Sequence, residues 1–343
     1  MKKIEPKLKH FLVLQQSQKQ QKNIKHKKWK REKNKQNQGL SLKQKNWLKS
    51  VSNSEVFRPP NVFSLRENAE LVLQFLNNLK NHRNRNREVY INLVNVKTIT
   101  NGSIAILLSV IQELNNKGIR VRGKKPKDKE AKKVIEKSGF FNYVIGAIDE
   151  ENSISPDTII TKGVEVVEQE STAKIVLQAM KTVTGIEKRN QPIQGMLIEL
   201  MANSVNHAYP NSRKKKWVLS VNHDDINKKA SFAFVDNGVG IIKTLNLNFS
   251  QTLKKLFSGN IDLLNTAFEG KIGSRTGLTY RGRGLPSVFN KYKQNYFKDF
   301  VVITNDVFID FQNNKSILLK NSFYGTFYYW ELNKDCEYYG KNA

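Results

Sequence analysis

The chain has 343 residues, 38% of them apolar, and carries 58 Lys and Arg against 30 Asp and Glu, a net charge of +28. That length suits two domains with ordinary cores plus an appendage, and the charge favours nucleic acid, ribosomes or an anionic membrane surface over basic partners. Cys336 is the single cysteine, which excludes an intramolecular disulfide and a cysteine metal cluster; no apolar run approaches the ~20 residues that span a bilayer, so a cytoplasmic protein is expected.

Residues 1–50 hold 16 Lys and Arg against 2 Glu, half of the whole net charge. Rich in Lys, Gln and Asn, this stretch cannot bury a core and reads as a disordered or helical arm. Two readings stay open for it: a solvated tail, or an electrostatic clamp on the phosphates of nucleic acid.

Residues 51–150 alternate helix and strand. Ser64 and Glu67 form a capping box ahead of Leu71, Phe75 and Leu79 at helical spacing. EVYINLVNV reads as a buried strand, SIAILLSVIQEL as a buried helix, GIRVRG as a strand and KEAKKVIEKSGFF as an amphipathic helix, which together predict parallel pairing in an α/β domain. The stretch INLVNVKTITNGSIAILLSVIQEL resembles the STAS domains of bacterial anti-sigma-factor antagonists. The resemblance implies a partner-facing helix start. Thr100-Asn101-Gly102-Ser103 stands where the family has Asp-Ser-Ser-Gly, so the phospho-acceptor position holds Gly102, leaving Ser103 or Thr100 as substitutes.

A linker over 151–170 leads into a second domain over 171–335, with a short tail over 336–343. Its first helix is STAKIVLQAMKTV, and its second carries ELMANSVNHAYP. Helical geometry puts Glu199, Asn203, Asn206 and His207 in one polar stripe, opposite Leu197, Met201 and Val205. Amides with a lone carboxylate on a core-facing helix suggest groups meant to touch a ligand. WVLSVNHD and ASFAFVDNGVGI then read as adjacent strands, the second ending in Asp236-Asn237-Gly238-Val239-Gly240, where two glycines let the backbone turn while the carboxylate projects. Further on, Arg281-Gly282-Arg283-Gly284-Leu285 precedes the helical PSVFNKY, so backbone amides at a helix start can meet phosphate oxygens.

In this order the three elements resemble the GHKL ATP-binding superfamily of gyrase-type topoisomerases, heat-shock chaperones, MutL proteins, histidine kinases and anti-sigma-factor serine kinases. Glu199 and Asn203 match its N box, Asp236 to Gly240 its first glycine box, Gly282 to Leu285 its second, and GTFYYWEL its last strand. The resemblance implies a STAS-like α/β domain followed by an α/β two-layer sandwich of the Bergerat type, with ATP and Mg²⁺ as cofactors. It implies Asn203 as a magnesium ligand, Glu199 as the catalytic base, and Asp236 as acceptor for the adenine amine. Gly238 and Gly240 would admit base and ribose, and Gly282 and Gly284 would bind phosphates. His207, which follows Asn203 as in the serine-kinase branch, and Arg281 and Arg283 complete the nucleotide-binding set.

Only about sixty residues follow Leu285, too few for the transducer domain of gyrase-, MutL- and chaperone-type members. His82 sits after a capped helix, not on a dimerising helix pair, which argues against a conventional histidine kinase. The expectation is a regulatory switch near the anti-sigma-kinase branch, with a lid from Ile242 to Tyr280 closing over ATP. An ATPase, a protein serine/threonine kinase and mere binding all remain open. The partners expected are ATP, a STAS-like or sigma-regulatory protein, and nucleic acid through residues 1–50, with no membrane span and homodimerisation left open.

Overall fold

The computed structural model describes residues 55–82, 88–143, 158–164, 169–206, 216–248, 257–272 and 284–337. The basic arm, His207, Tyr280, Arg281, Gly282 and Arg283 lie outside these residues. The elements run β1 (Glu55–Phe57), β2 (Val62–Phe63), α1 (Leu65–Lys80), β3 (Glu88–Asn92), β4 (Thr98–Ile99), α2 (Asn101–Asn116), β5 (Arg120–Lys124) and α3 (Lys129–Lys137). They continue with β6 (Thr158–Val164), α4 (Gln169–Thr184), α5 (Gln191–Asn206), β7 (Lys216–Asp224), β8 (Lys229–Asp236), α6 (Ile241–Asn248), α7 (Asn260–Phe268), α8 (Gly284–Lys293), β9 (Lys298–Asp310) and β10 (Lys315–Leu332). The fold is mixed α/β.

Helix starts follow the local sequence. Ser64, Thr100 and Asp128 cap α1, α2 and α3 by accepting from the amides of Glu67, Ser103 and Ala131, which satisfies donors that a helix start otherwise leaves open. EVYINLVNV is shorter as a strand than its composition suggests, ending at Asn92. There the Asn92 side chain accepts from the Val94 amide and begins a turn.

Strands β1, β3 and β5 form a parallel sheet in the order β1-β3-β5, and β2 pairs with β4. The larger sheet is antiparallel, in the order β6-β7-β8-β10-β9. Its edge strand β6 comes from within the 151–170 segment read as a linker.

The larger sheet is apolar on both faces. Trp217, Leu219, Phe232, Phe234, Val302, Tyr328 and Trp330 pack with α4, α5 and α8. Their neighbours in sequence, Val218, Ala233, Val235, Val301, Ile303 and Phe327, pack instead with α1 and α2, as the two-residue period of a strand requires. The N-terminal α/β segment and the larger sheet therefore share one hydrophobic core, and Glu55–Ala343 form one compact unit.

Helix α2 is the piece that joins them. Ile104, Ala105, Ile106, Leu107, Leu108, Ile111 and Leu114 are all fully buried, so the helix is apolar around its whole circumference and must be enclosed. It packs against α1 and β5 on one side and against β7 and β8 on the other. Each Ile and Leu among them contributes roughly 1.5–3 kcal/mol by leaving water. Among the described residues no helix is long and apolar enough to cross a membrane.

The start of α2 also corrects an expectation. Gly102 is buried, and a Cβ there would lie 2.9 Å from Cζ of Phe327 on β10. Ser103 is fully buried, its Oγ accepting from the Leu65 amide at 3.2 Å and from the Thr100 hydroxyl at 3.0 Å. Thr100 itself accepts from the Ser103 amide as the cap. Both hydroxyls are tied into the cap of α2; Ser103 is enclosed and so is no accessible phospho-acceptor, whereas Thr100 is only half-buried.

Gly102→Val is expected to destabilise the protein by about 1–3 kcal/mol, because its methyl groups enter a filled contact with a buried ring. Urea unfolding measures this; an unchanged midpoint would mean that α2 can shift on the sheet without loss.

Candidate functional site

Helix α5 carries Leu197 and Met201 into the core, while Glu199 and Asn203, on its other side, are half-buried. Gly284, the first residue of α8, sits directly on that pair. A Cβ on Gly284 would strike the Glu199 carboxylate and lie 2.7 Å from Nδ2 of Asn203. With Glu199 and Asn203 placed as they are, the absence of a side chain lets the head of α8 come this close. A helix N-terminus presents free backbone amides and a partial positive charge, so the arrangement favours an anion beside Asn203 and Glu199.

Lys291 lies two turns further along α8 and donates from Nζ to Ser287 Oγ at 2.7 Å. Burial pulls its ammonium below the usual lysine range, and the charge of Glu199 opposes that shift.

Asp236 ends β8 on the face that alternation directs toward α5. Its Oδ1 accepts from the Gly238 amide at 2.9 Å, and Oδ2 lies 3.5 Å from Ser204 Oγ, one residue beyond Asn203. Thr326, its register partner on β10, donates through both hydroxyl and backbone. The residue is only 5% exposed. Burial pushes its carboxyl up to about 6, against the pull of these hydrogen bonds. The Tyr328 phenol is raised too, first by burial and then by the charges of Asp236 and Glu199, which places both carboxylates around one ring.

Ser204 has one hydroxyl proton, and the Leu200 carbonyl at 3.1 Å competes for it better than Oδ2 at 3.5 Å. Among the described residues no group of three or more His, Cys, Asp and Glu is placed to hold a metal ion; Asn203 offers one amide oxygen, the kind of hard donor that Mg²⁺ accepts alongside waters and phosphates.

The loop after Asp236 is pinned by residues far away in sequence. Gly240 has φ +84, and a Cβ there would collide with the Asn305 side chain. Asn305 donates to the Val239 carbonyl at 2.8 Å and accepts from the Lys243 amide at 3.1 Å. Thr304 accepts from the Ile241 amide and donates to the Gly325 carbonyl. Gly325 has φ +138, and a Cβ there would strike the Asp236 backbone carbonyl. On the other side of the sheet, Ser109 Oγ on α2 lies 3.3 Å from the Asn237 side-chain amide.

Of the residues expected at the site, Glu199, Asn203 and Gly284 meet directly, and Asp236 and Gly238 reach the same helix through Ser204. Gly240 serves the loop. His207, Arg281, Gly282 and Arg283 lie outside the described residues. Sequence reasoning left Ser204 unassigned and missed Thr304, Asn305, Thr326 and Lys291; the only local signal was Gly325-Thr326 at the head of the closing strand. No protein-family model matches the chain, and comparison with curated proteins finds no match.

Asp236 makes stability depend on pH. Its folded pKa of about 6 exceeds the unfolded value of about 3.9, so the folded state holds the proton more tightly and stability falls as pH rises from about 4 through about 6. Asp236→Asn cannot titrate. Between pH 4 and 7 the stability difference is expected to move in favour of the variant by about 2–3 kcal/mol, read by urea unfolding at each pH; parallel profiles would show that the carboxyl is not strained by burial.

Proposed function

We propose that this protein binds adenine nucleotide with magnesium and acts as a regulatory switch of the GHKL kind, nearest the anti-sigma-factor serine kinases. The observation that carries the reading is the meeting of Gly284 with Glu199 and Asn203. Two stretches up to eighty-five residues apart converge on one polar spot at a helix N-terminus, with a buried aspartate on the adjoining strand.

The residues divide the work by chemistry. Asp236 accepts the exocyclic amine of adenine, and guanine, which presents a carbonyl there, is rejected. The head of α8 receives phosphate oxygens on its amides. Asn203 would hold the magnesium ion, whose role is to neutralise phosphate charge. Glu199, one turn before Asn203, orients and takes the proton of an attacking water or protein hydroxyl. The same residue serves hydrolysis and transfer to a serine or threonine, so the acceptor decides between ATPase and kinase.

A STAS-like N-terminal segment held in cis supports the switch reading. Its helix α2 packs on the back of the nucleotide-site sheet and touches Asn237, next to Asp236. A loop adjusting to ligand is thereby felt across the sheet.

Titration calorimetry with ATP and Mg²⁺ tests the site. Asp236→Asn and Asn203→Ala should each weaken binding by about 1–3 kcal/mol, and wild-type affinity in both variants would reject the assignment. Glu199→Gln keeps shape and hydrogen bonding but removes the base. Binding should persist while turnover, followed as released phosphate and protein-bound label together, falls ~10²-fold or more. Full turnover in that variant would remove Glu199 from the chemistry.

A further inference from the structure

Strand β5 and helix α3 concentrate charge on one stretch of folded surface. Between Arg120 and Lys137 there are nine Lys and Arg and three acidic residues. Arg120, Arg122 and Lys124 fall on one face of β5, because Val121 between them is buried in the core. Lys125, Pro126 and Lys127 lead directly to α3. On α3, Ala131 and Ile135 turn inward, which sends Lys129 and Lys133 outward.

The acidic groups leave most of this charge uncompensated. Glu88 holds Arg122 at 2.5 Å, Glu136 holds Lys125 at 2.9 Å and approaches Lys132 at 3.9 Å, Asp128 is occupied as the cap of α3, and Glu130 is the one exposed carboxylate between Lys129 and Lys133. Arg120, Lys124, Lys127, Lys129 and Lys133 are exposed and have no ion pair among the described residues. These five unpaired cations fall within fourteen residues of sequence, against the exposed carboxylate of Glu130, and such an excess of like charge favours a polyanion.

We infer that the β5–α3 surface is a docking site for the phosphodiester backbone of a nucleic acid. Two other anionic partners fit less well. A membrane-binding face combines basic residues with large apolar ones that enter the lipid, yet the exposed large apolar residues of the described chain lie elsewhere, at Leu71, Ile186, Ile226, Ile317, Leu318 and Tyr324. A protein interface needs an apolar or aromatic centre depleted of charge, and this surface has none exposed. A phosphate backbone needs only cations in a row. The site is separate from the nucleotide residues and stands or falls independently of them.

The test uses the full chain and compares two fivefold variants of equal charge. One is Arg120→Gln, Lys124→Gln, Lys127→Gln, Lys129→Gln and Lys133→Gln. The control is Arg189→Gln, Lys228→Gln, Lys315→Gln, Lys320→Gln and Lys334→Gln, all at exposed positions elsewhere. Anisotropy of a labelled 20-nucleotide single-stranded RNA and a 20-base-pair DNA is followed from about 50 to 300 mM salt.

Each lost phosphate contact lowers the slope of log affinity against log salt by about 0.7 on a single strand and 0.9 on a duplex. The β5–α3 variant should therefore lose about 3.5 from the slope on the single strand or about 4.5 on the duplex, and at least ~10-fold in affinity at 150 mM salt on that polymer, while the control keeps the wild-type slope. Equal slopes for the two variants would overturn the proposal, since binding would then follow net charge or the basic arm. Wild-type protein that binds neither polymer at 50 mM salt, with or without capture by phosphatidylserine vesicles, would overturn it as well.

Discussion

A sheet that must be apolar on both faces sets the terms for the rest of this molecule. Helices α4, α5 and α8 cover one face and α1 and α2 the other, so apart from the exposed first part of β10 the β7–β10 ladder has little face to spare for solvent. Polar chemistry is pushed to the strand ends. Asp236 closes β8 where the ladder stops, and Asn237 follows it onto the loop, so two adjacent side chains address opposite layers: the first meets Ser204 on α5, the second Ser109 on α2.

Close approach at that end is made possible by missing side chains. Gly284 brings the head of α8 onto Glu199 and Asn203, Gly240 lets Asn305 fold over the loop, and Gly325 bulges β10 against the Asp236 carbonyl. At Gly325 a methyl group would meet backbone and at Gly240 a side chain that is itself hydrogen-bonded, so those two contacts cannot open cheaply. The register of β10 is shifted on both sides of Phe323, between Leu318 and Thr326, which re-aims the strand just where it delivers Thr326 to Asp236.

What could be read from the sequence was what is local. The capping box at Ser64, the all-apolar run in α2 and the hairpin of β7 and β8 follow from periodicity and turn chemistry over a few residues. The polar stripe on α5 was legible for the same reason. Burial of Ser103 was not, because its hydroxyl is consumed by the amide of Leu65, thirty-eight residues earlier. Thr304, Asn305 and Thr326 act on the Asp236 loop only through strand pairing, and a pairing between residues ninety apart leaves no local periodic trace. The shared core escaped notice likewise. A run such as ILLSVIQEL states that it is buried without stating against what, and its second partner turned out to be β7 and β8.

The state of Asp236 bears on why a carboxylate stands there at all. Donors from Gly238 and Thr326 converge on it, yet burial still outweighs them and leaves its carboxyl at about 6. At neutral pH the folded chain therefore keeps an ion that its surroundings do not fully stabilise. A group needed only to fix the loop could be an amide, which would accept from Gly238 without carrying charge into the core. An ionised acceptor does something that an amide cannot: it holds a donor more strongly in a low-dielectric site than in water, and each donor that reaches it in turn offsets the cost of burial. The hydrogen bonds from Gly238 and Thr326 are therefore worth more to the fold than the same bonds to an amide, and stability is tied to the charge of this one carboxyl.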